Sequence, residues 1–380
     1  MEKGYLGSLD CAAVLEQVMR RLTAESRKYR ATDLENPILY FEATEAKGKV
    51  EAMPFIVLKS RGCSWKLKHG GCTMCGYNFD STLGDPVSES QLLHQLSIGL
   101  KRAVRVRPTI IAVTPAGSFF DPEELPREVA FKIADAVRKL GSLRVLYVES
   151  RPEYVLQAAE DSFLDELLDR LKPLELSVGI GLESADDFVR NCIIHKGVSL
   201  RIVEKAVKAL QERGVHTVLY TLLKPAFLTE REAVEDSISS VKWAASRADR
   251  VVLFPLRVYP YTLNWLLWRK GEYRTPWLWS LVEVLERLAP WELEKLIVTG
   301  WGTPPPTRLQ AYNCSECTSA VKQILKRWNA SRDPSYIKEA KNLSCSCVDE
   351  WRRELQQKSG CAREKIEVAL SELGLFEVAR

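Results

Sequence analysis

The chain has 380 residues, 46% hydrophobic and 27% charged, with a formal net charge of +4. That length exceeds one small core and suits one large domain with appendages, and that composition is a soluble globular protein's. No apolar run is long enough to span a bilayer, the start MEKGYLGSLD lacks the basic-then-apolar order of a secretory signal, and so small a net charge does not by itself demand a nucleic-acid partner. The expected location is the cytoplasm, with no membrane partner; there disulfides are rare and grouped cysteines more often hold metal.

In chain order, Asp10 to Arg30 reads as an amphipathic helix, with Ala13, Val14, Val18 and Leu22 at helical spacing. FIVLKS (Phe55 to Ser60) is a short apolar strand that runs straight into the loop SRGCSWKLKHGGCTMCGYNFD. An alternation follows. Strands are predicted at Thr109–Gly117, Arg144–Ser150, Leu174–Ser184, His216–Pro225 and Arg250–Tyr259, with amphipathic helices between them. Near-continuous apolar strands alternating with helices imply parallel β/α units, an α/β fold. Six such strands make an open barrel or an open sheet, since a closed barrel of this type needs eight. After Tyr261 tryptophans crowd the chain, and the Pro-rich GTPPPTR (Gly302 to Arg308) breaks any regular element. The expected division is a helical extension over 1–50, the β/α series over 51–262, a Trp-rich connection over 263–308 and a helical, Cys-rich module over 309–380.

Two cysteine groups carry chemistry. Cys63, Cys72 and Cys75 are spaced C-x8-C-x2-C in a loop flanked by Gly62, Gly70, Gly71 and Gly76. Three thiolates are one short of the set that closes a structural zinc or standard iron–sulfur site, so one metal position stays open for a substrate or cofactor. The second group is Cys314-x2-Cys317 and Cys345-x-Cys347. Four thiols in two close pairs complete a tetrahedral zinc site; an auxiliary iron–sulfur cluster is the alternative, and the tight C-x-C pair favours zinc. Cys361 is a substitute ligand, whereas Cys11 and Cys192 read as small buried residues. His69 reads as an exposed loop residue and His195 as the opening of a turn. Gly179 and Gly181 lack the third glycine of a dinucleotide fingerprint. KRAVRVR (Lys101 to Arg107) is either a solvated face or a nucleic-acid patch. So are Lys322, Lys326, Arg327, Lys338 and Lys341, with Trp328 and Tyr336 as stacking candidates.

With these motifs the chain resembles the radical S-adenosylmethionine (SAM) enzymes, in the Elp-type tRNA-modification branch with widened cysteine spacing, over roughly Pro54 to Tyr261. GGCTMCGY, PAGSFFDPEE, VESRPEY, GIGLES, LLKPAFLTEREA and the late cysteine pairs are most similar to the archaeosine-biosynthesis radical SAM family, RaSEA. The superfamily's common C-x3-C-x2-C spacing and the Elp acetyltransferase domain are both absent. The resemblance implies a partial (β/α)6 TIM-like barrel, with an N-terminal helix and a small helical C-terminal metal-binding module. It implies a [4Fe–4S] cluster on Cys63, Cys72 and Cys75, with SAM on the open iron and cofactor contacts drawn from the strand ends, where parallel sheets bind ligands. Those are Gly117 and Ser118 toward the SAM amino group, Glu149 and Arg151 for ribose, ammonium or carboxylate, Glu183 and Ser184 for ribose hydroxyls, and Lys224, with Tyr77 directly after the last cysteine as a further contact. The implied reaction is a C–N lyase step that converts a lysine-adducted 7-deazaguanine in tRNA to archaeosine through a 5′-deoxyadenosyl radical. Its partners would be tRNA, an archaeosine synthase that attaches the lysine, and an external electron donor. The alternatives are a methylthiotransferase or Elp-like enzyme, or a non-catalytic zinc protein that binds RNA.

Overall fold

The computed structural model describes residues 11–28, 32–46, 49–300 and 309–357, with Glu364 and Ile366. GTPPPTR and Cys361 lie outside the described residues. Eight strands form one sheet in chain order: β1 (Ile38–Ala46), β2 (Lys49–Leu58), β3 (Ile110–Pro115), β4 (Val145–Ser150), β5 (Glu175–Glu183), β6 (His216–Leu223), β7 (Arg250–Pro255) and β8 (Leu296–Val298). β1 pairs antiparallel with β2, and β2 to β8 run parallel. The sheet curls into a half barrel, an α/β fold.

The six strands expected from apolar runs are β2 to β7. The two additions lie at the sheet's edges. β1 mixes acids into its apolar positions, as ILYFEATEA, and β8 has only three residues. Neither makes the continuous apolar run that marks a buried parallel strand.

Strand alternation divides each parallel strand between two environments. Ile111, Val113, Leu146, Val148, Leu219, Val251 and Leu253 face outward into the main core, against helices that include Arg127–Arg138, Phe163–Leu171, Leu200–Gln211 and Glu230–Ala245. Phe55, Ala112, Tyr147, Val218, Tyr220 and Val252 face the inside of the half barrel. Gly179 belongs to that inner row. A Cβ there would fall 2.1 Å from Tyr147 Oη, so its bare backbone leaves room for the Tyr147–Tyr220 hydroxyl pair at 2.6 Å. Gly181 does the same one step on, because a Cβ would meet Glu183 Oε1 and Lys196 Nζ. The two glycines of GIGLES thus accommodate interior polar groups rather than a phosphate.

A third apolar cluster covers the carboxyl ends of the strands. It joins the helix Cys11–Arg27, through Val14, Leu15, Val18, Met19 and Leu22, to Cys72, Ile193, Leu222, Val258 and Leu263. The helices Thr318–Ser331, Ser335–Lys341 and Cys347–Gln356 flank the second cysteine group, of which Cys347 is helical and Cys314, Cys317 and Cys345 lie in the segments before helices, and their apolar face, with Trp328 fully buried, is continuous with the main core. No helix among the described residues is long and apolar enough to cross a membrane.

Candidate functional site

The cysteine loop follows β2 at the carboxyl edge of the sheet. Cys63 precedes the short helix Ser64–His69, and Cys72 and Cys75 follow it. The turn at Gly70 and Gly71 needs left-handed backbone, with φ of 85° and 83°. A Cβ on Gly70 would lie 2.4 Å from the backbone of Met19 and Arg20, so only glycine lets the N-terminal helix cover the loop this closely. Thr73 fastens the far side: its N–H donates to Ile194 O at 2.9 Å and its hydroxyl to Ile193 O at 3.0 Å.

All three thiols are free, and Cys75 is within electrostatic reach of both Cys63 and Cys72. Burial pushes each thiol up, Cys75 to about 11. A buried thiolate therefore needs positive partners, or a metal, to form.

Two buried cations supply part of that charge. Arg151, at the end of β4, packs over Trp65 with its guanidinium 4.9 Å from the ring centroid, and donates to Lys196 O at 2.8 Å. Burial opposes its charge, but Glu153 and the Cys63 and Cys72 thiols outweigh burial and raise its pKa. Lys196 Nζ donates to Glu183 Oε1 at 2.8 Å. Burial likewise opposes the Lys196 charge, and Glu183 and Cys72 more than offset it. Glu183 itself sits at φ 68°, at a register irregularity of β5 that turns the strand end.

Lys196 was missed in the sequence because HKG reads as an ordinary turn. The turn is in fact packed against the cysteine loop. Trp65 Nε1 donates to His195 O, His195 Nδ1 donates to Gly71 O, both at 2.9 Å, and a Cβ on Gly197 would fall 2.1 Å from the Trp65 ring. His69 stacks on the same indole, with ring centroids 4.2 Å apart, and pairs with Glu16.

Glu124 is the second residue that sequence reading missed, although it closes the PAGSFFDPEE stretch. Its Oε1 accepts from Ser64 N at 2.9 Å and its Oε2 from Ser118 N at 2.6 Å. One buried carboxylate thus joins the start of the cysteine-loop helix to the turn after β3. Gly117 is what admits it, since a Cβ there would overlap Glu124 Oε2 at 1.7 Å. Burial raises the Glu124 pKa to about 8, with Asp121 adding to the shift. The Ser118 hydroxyl accepts from Arg151 N at 3.3 Å, so the ends of β3 and β4 are linked as well.

Inside the barrel, Tyr77 donates to Glu149 Oε2 at 3.0 Å. Burial raises the Glu149 pKa, against the lowering effect of hydrogen bonds from Tyr220 and Tyr77. Glu42 on β1 faces the same interior. Burial lifts its pKa to about 7, and Glu149 adds to the shift. Among the expected contacts, the structure brings Tyr77, Glu149, Arg151 and Glu183 toward the three cysteines, with Gly117 and Ser118 joined to them through Glu124. It turns two others aside. The Ser184 hydroxyl donates to Asp236 Oδ1 at 2.5 Å, and Lys224 forms a buried ion pair with Glu230.

In the second cysteine group, the sulfurs of Cys314, Cys317, Cys345 and Cys347 all lie within 4.8 Å of one another. Neighbouring pairs are 3.3 to 3.5 Å apart. Four sulfurs about 2.3 Å from one tetrahedral ion would be about 3.8 Å apart, so the donor set fits a single ion. Trp279 Nε1 donates to Cys347 Sγ at 3.2 Å, which ties the group to the helix Leu278–Glu286. Two expectations change. Trp328 is buried and presents no ring to a base, and Cys192 is disulfide-bonded rather than an isolated small residue.

No protein-family model matches the chain. It is 33% identical over 301 residues to archaeosine synthase subunit beta of Methanosarcina acetivorans, covering 79% of this chain and 84% of that protein. It is 31% identical over 312 residues to archaeosine synthase subunit beta of Thermococcus kodakarensis, covering 80% and 92%. Among solved structures, an N-terminally truncated Elp3 of Methanocaldococcus infernus matches at 15% identity with a TM-score of 0.43, over 62% of this chain and 59% of that one.

Proposed function

The chain belongs to the archaeosine synthase subunit beta family, a radical SAM family of tRNA modification, and from that premise we propose that it is the component that cleaves a C–N bond in a lysine-adducted 7-deazaguanine of tRNA. The partner archaeosine synthase would attach the lysine, and cleavage would leave the amidine of archaeosine. The observation that carries the reading is a set of three free thiols, from one loop, at the carboxyl end of a parallel half barrel beside two buried cations.

Cys63, Cys72 and Cys75 would hold a [4Fe–4S] cluster. The glycine turns, the free thiols and the flanking Arg151 and Lys196 fit that anionic group. When bound, the cluster with SAM supplies reductive cleavage of the sulfonium to methionine and a 5′-deoxyadenosyl radical. The chain's own residues bind, orient and exclude water. Arg151 and Lys196 offset thiolate charge. Glu149 and Glu183 offer acceptors to an ammonium or to ribose hydroxyls. Glu124 fixes the loop relative to the β3 turn, which keeps thiols and strand ends in register. Tyr77, Tyr147 and Tyr220, with Glu42 and Glu149, place hydroxyl and carboxyl groups inside the half barrel. The four late cysteines would hold zinc, in a structural role.

The test is anaerobic reconstitution with iron, followed by SAM, a reductant and precursor tRNA carrying the lysine adduct. The expected result is about four irons at the first site, 5′-deoxyadenosine, and archaeosine by nucleoside mass spectrometry. A colourless protein with zinc in both cysteine groups after reconstitution would overturn the reading. Formation of 5′-deoxyadenosine with a different modified nucleoside would overturn the lyase step alone.

A further inference from the structure

The segment after β7 is fastened to the cysteine loop on both sides of Cys75. Before it, Thr73 O accepts from Leu263 N at 3.0 Å, at the start of the helix Leu263–Lys270. After it, Gly76 packs on the Tyr259 ring, where a Cβ would fall 2.5 Å from Tyr259 Cγ. Thr262 joins the two contacts. Its hydroxyl donates to Tyr259 O at 2.7 Å and accepts from Trp265 N at 3.1 Å, which caps the helix.

This helix has two unlike faces. Leu263, Asn264 and Leu267 are buried. Trp265 is half-buried and Arg269 exposed, and four residues apart they share a face. Tyr261 joins them from before the helix. Its backbone is left-handed, with φ of 57°, which a residue with a bulky side chain rarely adopts. Its ring lies 5.3 Å from that of Trp265, centroid to centroid, at 37°. The Arg269 guanidinium lies 4.8 Å from the Trp265 centroid. Phenol, indole and guanidinium thus gather about one ring. Among the described residues no carboxylate pairs with Arg269 or with Lys270 beside it, and both are exposed. Flat π surfaces next to unanswered cations match an unpaired base and its phosphate, because bases stack on aromatic faces and on guanidinium planes. A paired duplex keeps its bases stacked and offers such a surface only phosphate. The large apolar side chains exposed among the described residues are Phe41, Val104, Val106 and Trp291, and none lies on this helix. A protein interface here would lack an apolar centre.

We propose that Tyr261, Trp265 and Arg269 form a stacking platform for an unpaired base of the RNA substrate, held against the three-cysteine loop by the helix they stand on. The proposal rests on the tRNA reading above and adds the residues that receive a base.

The experiment is fluorescence anisotropy of the full, metal-reconstituted chain with two probes, an in-vitro-transcribed tRNA and a fully paired RNA duplex, across a range of KCl concentrations. The variants are Trp265→Leu, Trp265→Phe and Arg269→Gln, with metal content and thermal midpoint as checks of folding. Leu keeps apolar bulk against the cluster on which Trp265 packs but removes the ring. Trp265→Leu should weaken tRNA binding about ten-fold and leave duplex binding unchanged. Trp265→Phe should recover most of that loss. Arg269→Gln should weaken tRNA binding and reduce the slope of log affinity against log salt by about one. Wild-type tRNA affinity in Trp265→Leu would overturn the platform. So would an equal loss on tRNA and duplex, since altered folding and not stacking would then account for it. A Trp265→Leu chain that binds tRNA normally but loses the partner subunit would overturn it too, because the face would then dock a protein. If the wild-type chain binds neither RNA, the tRNA reading fails and the platform with it.

Discussion

Glu124 shows how a single side chain decides the shape of the site. It accepts two backbone N–H groups that belong to different elements, one on each side of the cysteine loop. Glu124→Ala would leave two buried donors unmatched, at about 1–3 kcal/mol each. The expected outcome is a lower denaturant midpoint and less iron retained after reconstitution. Gln at the same position keeps one acceptor and should recover part of both. Asp236 behaves differently. Burial raises its pKa to about 7, although the Ser184 hydroxyl bonded to it works the other way. Its folded pKa is above the unfolded one, so its contribution to stability is complete below about pH 4 and is lost as pH rises through 7. Asp236→Asn removes that titration. Between pH 4 and 7 the variant should gain on the wild type by up to about 1.4 kcal/mol per pH unit, and above pH 7 the difference should be constant. Equal pH profiles of the two proteins' unfolding midpoints would sink this assignment.

At the scale of elements, the late cysteines connect the C-terminal helices to the barrel's outer layer. Cys347 accepts from Trp279, and Trp351 Nε1 donates to Ser280 Oγ at 2.8 Å on the same helix. Metal at the four sulfurs should therefore stabilise both the helix pair and its seat on the barrel. Cys345→Ala, or zinc removal by a chelator, should change tryptophan emission and expose residues 309–357 to protease, while SAM cleavage by the reconstituted chain stays measurable. Unchanged zinc content in Cys345→Ala would exclude the four-cysteine zinc site. The three-cysteine loop contrasts with it. Its sulfurs are fixed by a helix start, two left-handed glycines and the Thr73 clamp rather than by close contact with one another.

At the scale of the whole molecule, the half barrel and the cysteine loop depend on one another unequally. The main apolar core lies between strands and outer helices, whereas Cys72 belongs to the separate cluster over the strand ends. Cys72→Ala should therefore abolish 5′-deoxyadenosine formation while the far-ultraviolet circular dichroism stays that of the folded barrel. SAM cleavage at the wild-type rate would refute the assignment of the cluster to this loop.

The local signals in the chain were enough to identify β2 to β7, the N-terminal helix and both cysteine groups, because each depends on neighbours in sequence: apolar runs of strand length, helical periodicity and thiol spacing. The edges of the sheet were not legible, since β1 and β8 owe their pairing to an adjacent strand and not to their own composition. The same limit held in the site. Glu124, Lys196 and Glu42 acquire their surroundings from residues 60, 13 and about 100 positions away, distances over which periodicity and spacing carry no information. Ser184 and Lys224 show the converse. Ending a strand at the barrel's carboxyl edge does not decide which way a side chain turns, and the half-buried Asp236 and the buried Glu230 drew both into their own pairs. Residue chemistry and local spacing were therefore sufficient for the kind of site, and tertiary packing alone decided which polar groups face it, because desolvation and charge pairing act through space and not along the chain.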